Sequence, residues 1–140
     1  MPLQKQIIQN TLDLIKNIEL RSYRKGELSP LQIRTIVFVK DKRCVKSSDL
    51  ARQFNVTPAT ITAQIDKLVS NGWLERCDDG DDRRVINITL TEKAKKEVDK
   101  LVDQTVKRYD WIFKSLTKEE QKIFLNLVIK INQNAHKSKS

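Results

Sequence analysis

Thr57, Thr60, Thr62 and Gln64 crowd hydroxyl and amide groups into one part of the segment SSDLARQFNVTPATITAQIDKLVSNGWLERCDDGDDRRVINITL, residues 47–90. With Lys67 close behind, these side chains hydrogen-bond and attract anions rather than break bonds. Two other sets carry potential chemistry. Asp78, Asp79, Asp81 and Asp82 surround Gly80, and solvated turn residues explain them more simply than a cation site does. Cys44 and Cys77 lie 33 positions apart and form no CxxC or zinc spacing. They are expected to be reduced, buried and inert, although Lys42, Arg43 and Lys46 give Cys44 the positive setting that activates a thiol. His136 is the only histidine and stands in a polar tail, so no metal site is expected. The chain has no nucleophile–base–acid set and no glycine-rich phosphate loop. No enzyme activity and no cofactor are expected.

The elements that must hold these groups follow from composition and periodicity. At 140 residues the chain can bury a core without a disulfide or metal, and three glycines and three prolines favour long helices. Its net charge of +9 favours an anionic partner. The distribution is uneven: residues 1–46 carry ten Lys/Arg against four Asp/Glu, residues 47–90 five against seven, and residues 91–140 twelve against seven. The central third is therefore the least basic, and flanking helices must supply much of any attraction to phosphate. No apolar run approaches the roughly 18 residues of a membrane span, and MPLQKQII lacks a signal-peptide profile, so a cytoplasmic location is expected.

Leu3, Ile7, Ile8, Leu12, Ile15 and Ile18 recur at helical spacing over residues 3–20. Ser29-Pro30 with Gln32 signals a capped second helix, in which Leu31, Ile33, Ile36, Val37 and Val39 are expected to be buried. Ser47 reads as the N-cap of a short helix ending at Phe54, and Thr57-Pro58 as the start of the next. On that second helix Ile61, Ile65 and Leu68 share one face, while Ala59, Thr62, Ala63, Asp66 and Ser70 lie opposite. Asn71-Gly72 stops it. Two strands, 73–77 and 85–90, flank the charged tip, with Ile86, Ile88 and Leu90 facing inward. Thr91 caps a long helix whose apolar face runs from Ala94 to Leu116. A capping box at Thr117 to Glu120 opens the last helix, where Ile123, Phe124, Leu127, Val128 and Ile131 share a side. The tail from Asn132 onward is expected to fray. The order helix, turn, helix, hairpin is that of a helix-turn-helix with a β-wing, which presents its second helix to the major groove of DNA. The fold class expected is mainly α with a small β-wing.

LSPLQ at residues 28–32, the run SSDLARQFNVTPATITAQIDKLVSNGWLER, and DDRRVINITLTEKA give the chain a clear likeness: it resembles the MarR family of winged-helix transcription regulators. The resemblance implies a two-fold dimer and a DNA partner. Its domains would be a dimerisation helix at 1–26, a DNA-binding region at 29–90, and dimerisation helices with a polar tail at 91–140. Carried onto this chain, Thr57 to Lys67 is the recognition segment. Ser47, Thr57, Pro58, Ala59, Thr60, Thr62, Ala63, Gln64 and Lys67 face DNA. Arg84 reaches the minor groove, Asp82 orients it, and Arg83 contacts phosphate or the same groove. Pro58 and Ala63 stand where many members place arginines, so the strongest contact to guanine is missing from the helix and an A·T-rich operator is expected. Repression is the default expectation, and the resemblance implies a small aromatic or phenolic ligand as effector. The alternative is a winged-helix protein-interaction module without sequence-specific DNA binding, a reading that the net −2 of residues 47–90 favours.

Overall fold

A computed structural model describes residues 2–22, 27–77 and 86–137. The protein is mainly helical with one small antiparallel sheet. Its elements in order are α1 (Leu3–Ser22), α2 (Pro30–Lys40), β1 (Val45–Lys46), α3 (Ser47–Phe54), α4 (Pro58–Ser70), β2 (Leu74–Arg76), β3 (Asn87–Leu90), α5 (Glu92–Tyr109), a 3₁₀ turn (Asp110–Ile112) and α6 (Lys118–Lys137). They fall into two compact units, one of residues 23–105 and one of residues 1–22 with 106–140.

The first unit is built on a single core. Ile36 and Val39 of α2, Leu50 of α3, Ile61, Ile65 and Leu68 of α4, Leu74, Ile88 and Leu90 of the sheet, and Val98 of α5 are all nearly or fully buried. α2 starts as its sequence signals: Ser29 Oγ accepts from the Gln32 N–H (3.2 Å), and the Gln32 side chain accepts from the Ser29 N–H (2.8 Å). Not every apolar residue of α2 turns inward. Val37 is 41% exposed, while Thr35 is buried with its hydroxyl donating to the Leu31 carbonyl at 2.8 Å. Helix geometry selects the face that carries Gln32, Ile36 and Val39, and apolarity alone does not.

The sheet has three strands rather than the two expected of a hairpin, in the order β1-β3-β2. β1 is two residues long and pairs Val45 with Ile88 and Lys46 with Asn87. Its arrival also changes how α3 begins. Ser47 is the first residue of the helix and not its cap; Lys46 holds the cap position without a side-chain bond. The Ser47 N–H, which a capping side chain would otherwise help to satisfy, donates to the Ile86 carbonyl at 2.9 Å.

Further departures have local causes. The helix expected to reach Leu116 ends at Tyr109, where the backbone tightens into bonds from Phe113 N–H to Asp110 O (3.1 Å) and Leu116 N–H to Phe113 O (3.0 Å). The side-chain amide of Gln121 donates to the Phe113 and Leu116 carbonyls at 3.2 and 3.1 Å, satisfying acceptors that a continued helix would have used. Thr117 and Glu120 form the expected capping box (2.9 and 3.2 Å). From it α6 runs on to Lys137 through residues read as tail, since each residue added to an existing helix gains a backbone bond.

Cys44 and Cys77 correct the expectation of reduced, separate thiols: they form a disulfide, with Cα atoms 6.4 Å apart. Their distance in sequence hid the pairing, because only the sheet brings the approach to β1 and the end of β2 together.

Leu68 is fully buried in the core. Leu68→Ala should lower the unfolding free energy by about 2–5 kcal/mol in urea titrations. A loss below about 1 kcal/mol would mean that the site is less tightly packed than a buried core position should be.

Candidate nucleic-acid interface

The candidate interface is centred on α4, and local rules fix both of its ends. Asn55 ends α3 in the left-handed region (φ 57°, ψ 49°), a conformation that asparagine tolerates better than most residues. The chain thereby reverses within Asn55-Val56-Thr57, and the Val56 N–H closes back onto the Ala51 carbonyl at 3.0 Å. Thr57 caps α4: its Oγ1 accepts from the Thr60 N–H at 3.1 Å and shares a hydrogen bond with Thr60 Oγ1 at 2.8 Å. Pro58, in the first turn, has no N–H to leave unsatisfied.

At the other end Gly72 takes φ +82°, and two bonds finish the helix: Gly72 N–H to Val69 O (3.1 Å) and Trp73 N–H to Leu68 O (2.9 Å). This is a complete Schellman motif, and it delivers the chain directly into β2. Thr91 joins this end to α5. Its Oγ1 donates to the Gly72 carbonyl at 2.6 Å and accepts from the Ala94 N–H at 3.0 Å.

Between those ends Ile61, Ile65 and Leu68 are buried at 1% exposure or less, which turns the opposite face into solvent. Thr57, Pro58, Ala59, Thr60, Ala63, Asp66 and Lys67 are exposed there, and Thr62 is half-buried beside them. Gln64 is half-buried, and its Oε1 is shielded from solvent with no hydrogen-bond partner. Its carbonyl end thus faces inward, away from the side that α4 presents. Ser47 is half-buried at the start of α3, one element back. Asp82, Arg83 and Arg84, with Asp78, Asp79 and Asp81, lie outside the described residues.

The charge around α4 is sparse. Arg52 of α3 is paired with Asp49, so Lys67 on α4 and Lys46 just before α3 are the exposed cations nearest in sequence to the helix-turn-helix ends. The surface therefore offers hydroxyls, methyl groups, the Asp66 carboxylate and a few cations. It can hydrogen-bond and make apolar contact with base edges, and its long-range attraction to phosphate is weak. From sequence Lys46 was named only as a neighbour of Cys44 and not as a DNA contact. The strand that places it is two residues long and has no turn residues to announce it. Among the described residues no three His, Cys, Asp or Glu side chains gather as a metal-binding group, and no helix is long and apolar enough to cross a membrane.

Known proteins show the same architecture. The sequence profile of the MarR family matches residues 28–86. The chain is similar to the uncharacterized HTH-type transcriptional regulator YwhA of Bacillus subtilis, at 29% identity over 85 residues that make up 61% of each protein. It is also similar to the transcriptional regulator AdcR of Streptococcus pneumoniae, at 33% identity over 91 residues, 63% of this chain and 62% of AdcR. The matches thus span about three-fifths of the length of these relatives. A crystal structure of a mutant MarR from E. coli complexed with operator DNA shares the fold, with a TM-score of 0.69 at 21% identity over 94% of both chains. The winged helix built around α4 is thus the shared part, and over residues 28–86 the chain is similar to the MarR family.

Proposed function

We propose that the protein is a homodimeric transcriptional regulator that binds a pseudo-palindromic, A·T-rich operator and acts as a repressor. The observation that carries this reading is the outer face of α4. It is a capped helix with its apolar side buried and a side of threonines, alanines and one lysine left in solvent. That is what a helix needs to lie in a major groove: hydroxyls for base edges and methyl groups for thymine. The family supports it, as does the operator complex of the E. coli neighbour.

In this reading Thr57, Pro58, Ala59, Thr60, Thr62, Ala63 and Lys67 meet DNA, Ser47 approaches the backbone, and Gln64 contributes from the edge. Arg84, oriented by Asp82, enters the minor groove, and Arg83 binds phosphate or the same groove. With no arginine on α4, shape and deformability of the DNA carry much of the preference. A small aromatic or phenolic effector that relieves binding belongs to the same proposal, as does action in the cytoplasm. The protein works by binding and not by catalysis.

Dimerisation is supported by the apolar stripes of α1 and α6. Ile7, Ile8, Leu12 and Ile15 are 47–60% exposed, and Ile123, Leu127 and Ile131 are 54–66% exposed. Burying each against a partner would stabilise an assembly by about 1.5–3 kcal/mol at most, and exposed stripes of this extent mark association surfaces.

Selection of bound sequences from a random duplex library at moderate salt should enrich an A·T-rich inverted repeat. Arg84→Ala should weaken binding to it by about tenfold or more without loss of helical circular dichroism. No enrichment, with binding to other proteins that responds only mildly to salt, would favour the interaction-module alternative. If guanine substitutions throughout the half-site leave affinity unchanged, the A·T preference is wrong. In sedimentation the native chain should run as a dimer and Leu127→Asp as a monomer. A native monomer at micromolar concentration would remove the dimer.

A further inference from the structure

We propose that the hollow where α4 ends and α5 begins is a binding site for a free α-amino acid with an apolar side chain. The hollow lies wholly within residues 23–105, and the proposal does not rest on the DNA-binding reading.

The hollow encloses about 290 Å³ and is lined by Asn71, Gly72, Trp73, Lys93, Ala94 and Glu97. Two small residues leave it open. Gly72 takes φ +82° to close α4, and a Cβ placed there would meet nothing within 4 Å. Ala94 is nearly fully buried, so only a methyl group stands where a larger side chain would fill the space. The frame around the hollow is held by hydrogen bonds. Thr91 Oγ1 donates to the Gly72 carbonyl and accepts from the Ala94 N–H, while the Thr91 N–H donates to the Trp73 carbonyl at 3.2 Å. The site is thus largely pre-formed, as sites for small molecules usually are. Its size falls below the range of about 300–1,000 Å³ that holds drug-sized ligands, which suits a single small molecule.

The lining sorts into one apolar wall and two opposite charges. Trp73 is half-buried, packed partly against the core and lining the hollow with the rest of its side chain. Lys93 and Glu97 are exposed, one turn apart on the face of α5 that also carries Ala94. Neither takes part in an ion pair among the described residues; it is Glu92 that pairs with Lys95, at 3.0 Å. A lysine four positions before a glutamate is the weaker order for a helical pair. Lys93 also stands in the first turn of α5, where the positive end of the helix dipole disfavours a cation.

A ligand that brings a carboxylate to Lys93 and an ammonium to Glu97 answers both charges. An α-amino acid carries the two groups on one carbon, and an apolar side chain can then lie against Trp73. The Asn71 amide adds a donor and an acceptor at the rim. An acid without the ammonium would set its carboxylate near Glu97 with no compensation, and an amine without the carboxylate would do the same with Lys93.

The test titrates the native chain with L-phenylalanine and with L-leucine, following heat and tryptophan fluorescence. Each should bind with a Kd of about 1 mM or tighter. Phenylacetate, which lacks the ammonium, and phenethylamine, which lacks the carboxylate, should bind about tenfold or more weakly than phenylalanine. Lys93→Met and Glu97→Gln change exposed groups only, and each should weaken phenylalanine binding by about tenfold or more with helical circular dichroism unchanged. Trp73→Phe should remove the fluorescence response, since Trp111 belongs to the other unit. No heat from either amino acid at about 10 mM overturns the site. Binding that ignores both charge variants lies elsewhere on the chain and overturns it too. Phenylacetate or phenethylamine binding as tightly as phenylalanine overturns the choice of an amino acid.

Discussion

Burial of one face of α4 is the constraint on which the rest of the winged helix depends. Ile61, Ile65 and Leu68 pack into the same core as Ile88 and Leu90 of the sheet, Leu50 of α3 and Ile36 of α2. Rotating α4 by one residue, about 100°, would carry all three into water and bring Thr62 or Asp66 inward without partners. The buried face therefore decides the exposed one. What α4 offers to a groove is the complement of what the core demands.

Position along the chain is settled by backbone hydrogen bonds at element ends and hardly by charge. The close of α4, the entry to β2 and the start of α5 meet at Gly72, Trp73 and Thr91, where three elements share hydrogen bonds. The start of α3 is likewise borrowed from the sheet, through Ser47 and Ile86. Ion pairs such as Arg52–Asp49 and Lys40–Asp99 lie on the surface, where pairs contribute little. Asp99 hydrogen-bonds Lys40 at 2.8 Å and holds its ammonium above the usual lysine value. That raised value would bear on stability only at strongly alkaline pH, where the lysine begins to lose its proton.

The two units solve the burial problem differently. Residues 23–105 contain every fully buried apolar side chain among the described residues, and their core closes on itself. Residues 1–22 with 106–140 pair some aromatic groups, Phe113 with Phe124 and Arg21 over Trp111, yet keep long aliphatic stripes in solvent. A unit that folds without covering its own stripes is suited to association. A unit with a saturated core is suited to presenting a surface.

Much of this was legible in the residues. Local signals were explicit: Ser29-Pro30 with Gln32, Thr57-Pro58, Asn71-Gly72, Thr91, and Thr117 with Glu120 all cap or stop helices where their types say they should. Periodicity identified the inward side of α4 and of β3, since a helix or strand assigns faces by counting. The exposed character of most of the candidate α4 residues follows from that count. Where Gln64 turns its carbonyl does not, because a residue at the boundary of two faces is placed by its neighbours in space.

By itself, then, the sequence determined the elements whose reasons lie within about four residues: caps, turns, faces and the family likeness they spell. Only the tertiary structure decided the rest, because those features depend on residues far apart in the chain. β1 exists because β3 offers an edge to two residues that would otherwise be loop. α5 stops at Tyr109, and Gln121 of the next helix donates to the carbonyls of Phe113 and Leu116 in the segment beyond it. Cys44 meets Cys77 because the ends of two outer strands bend across a third, which no spacing of 33 residues could announce.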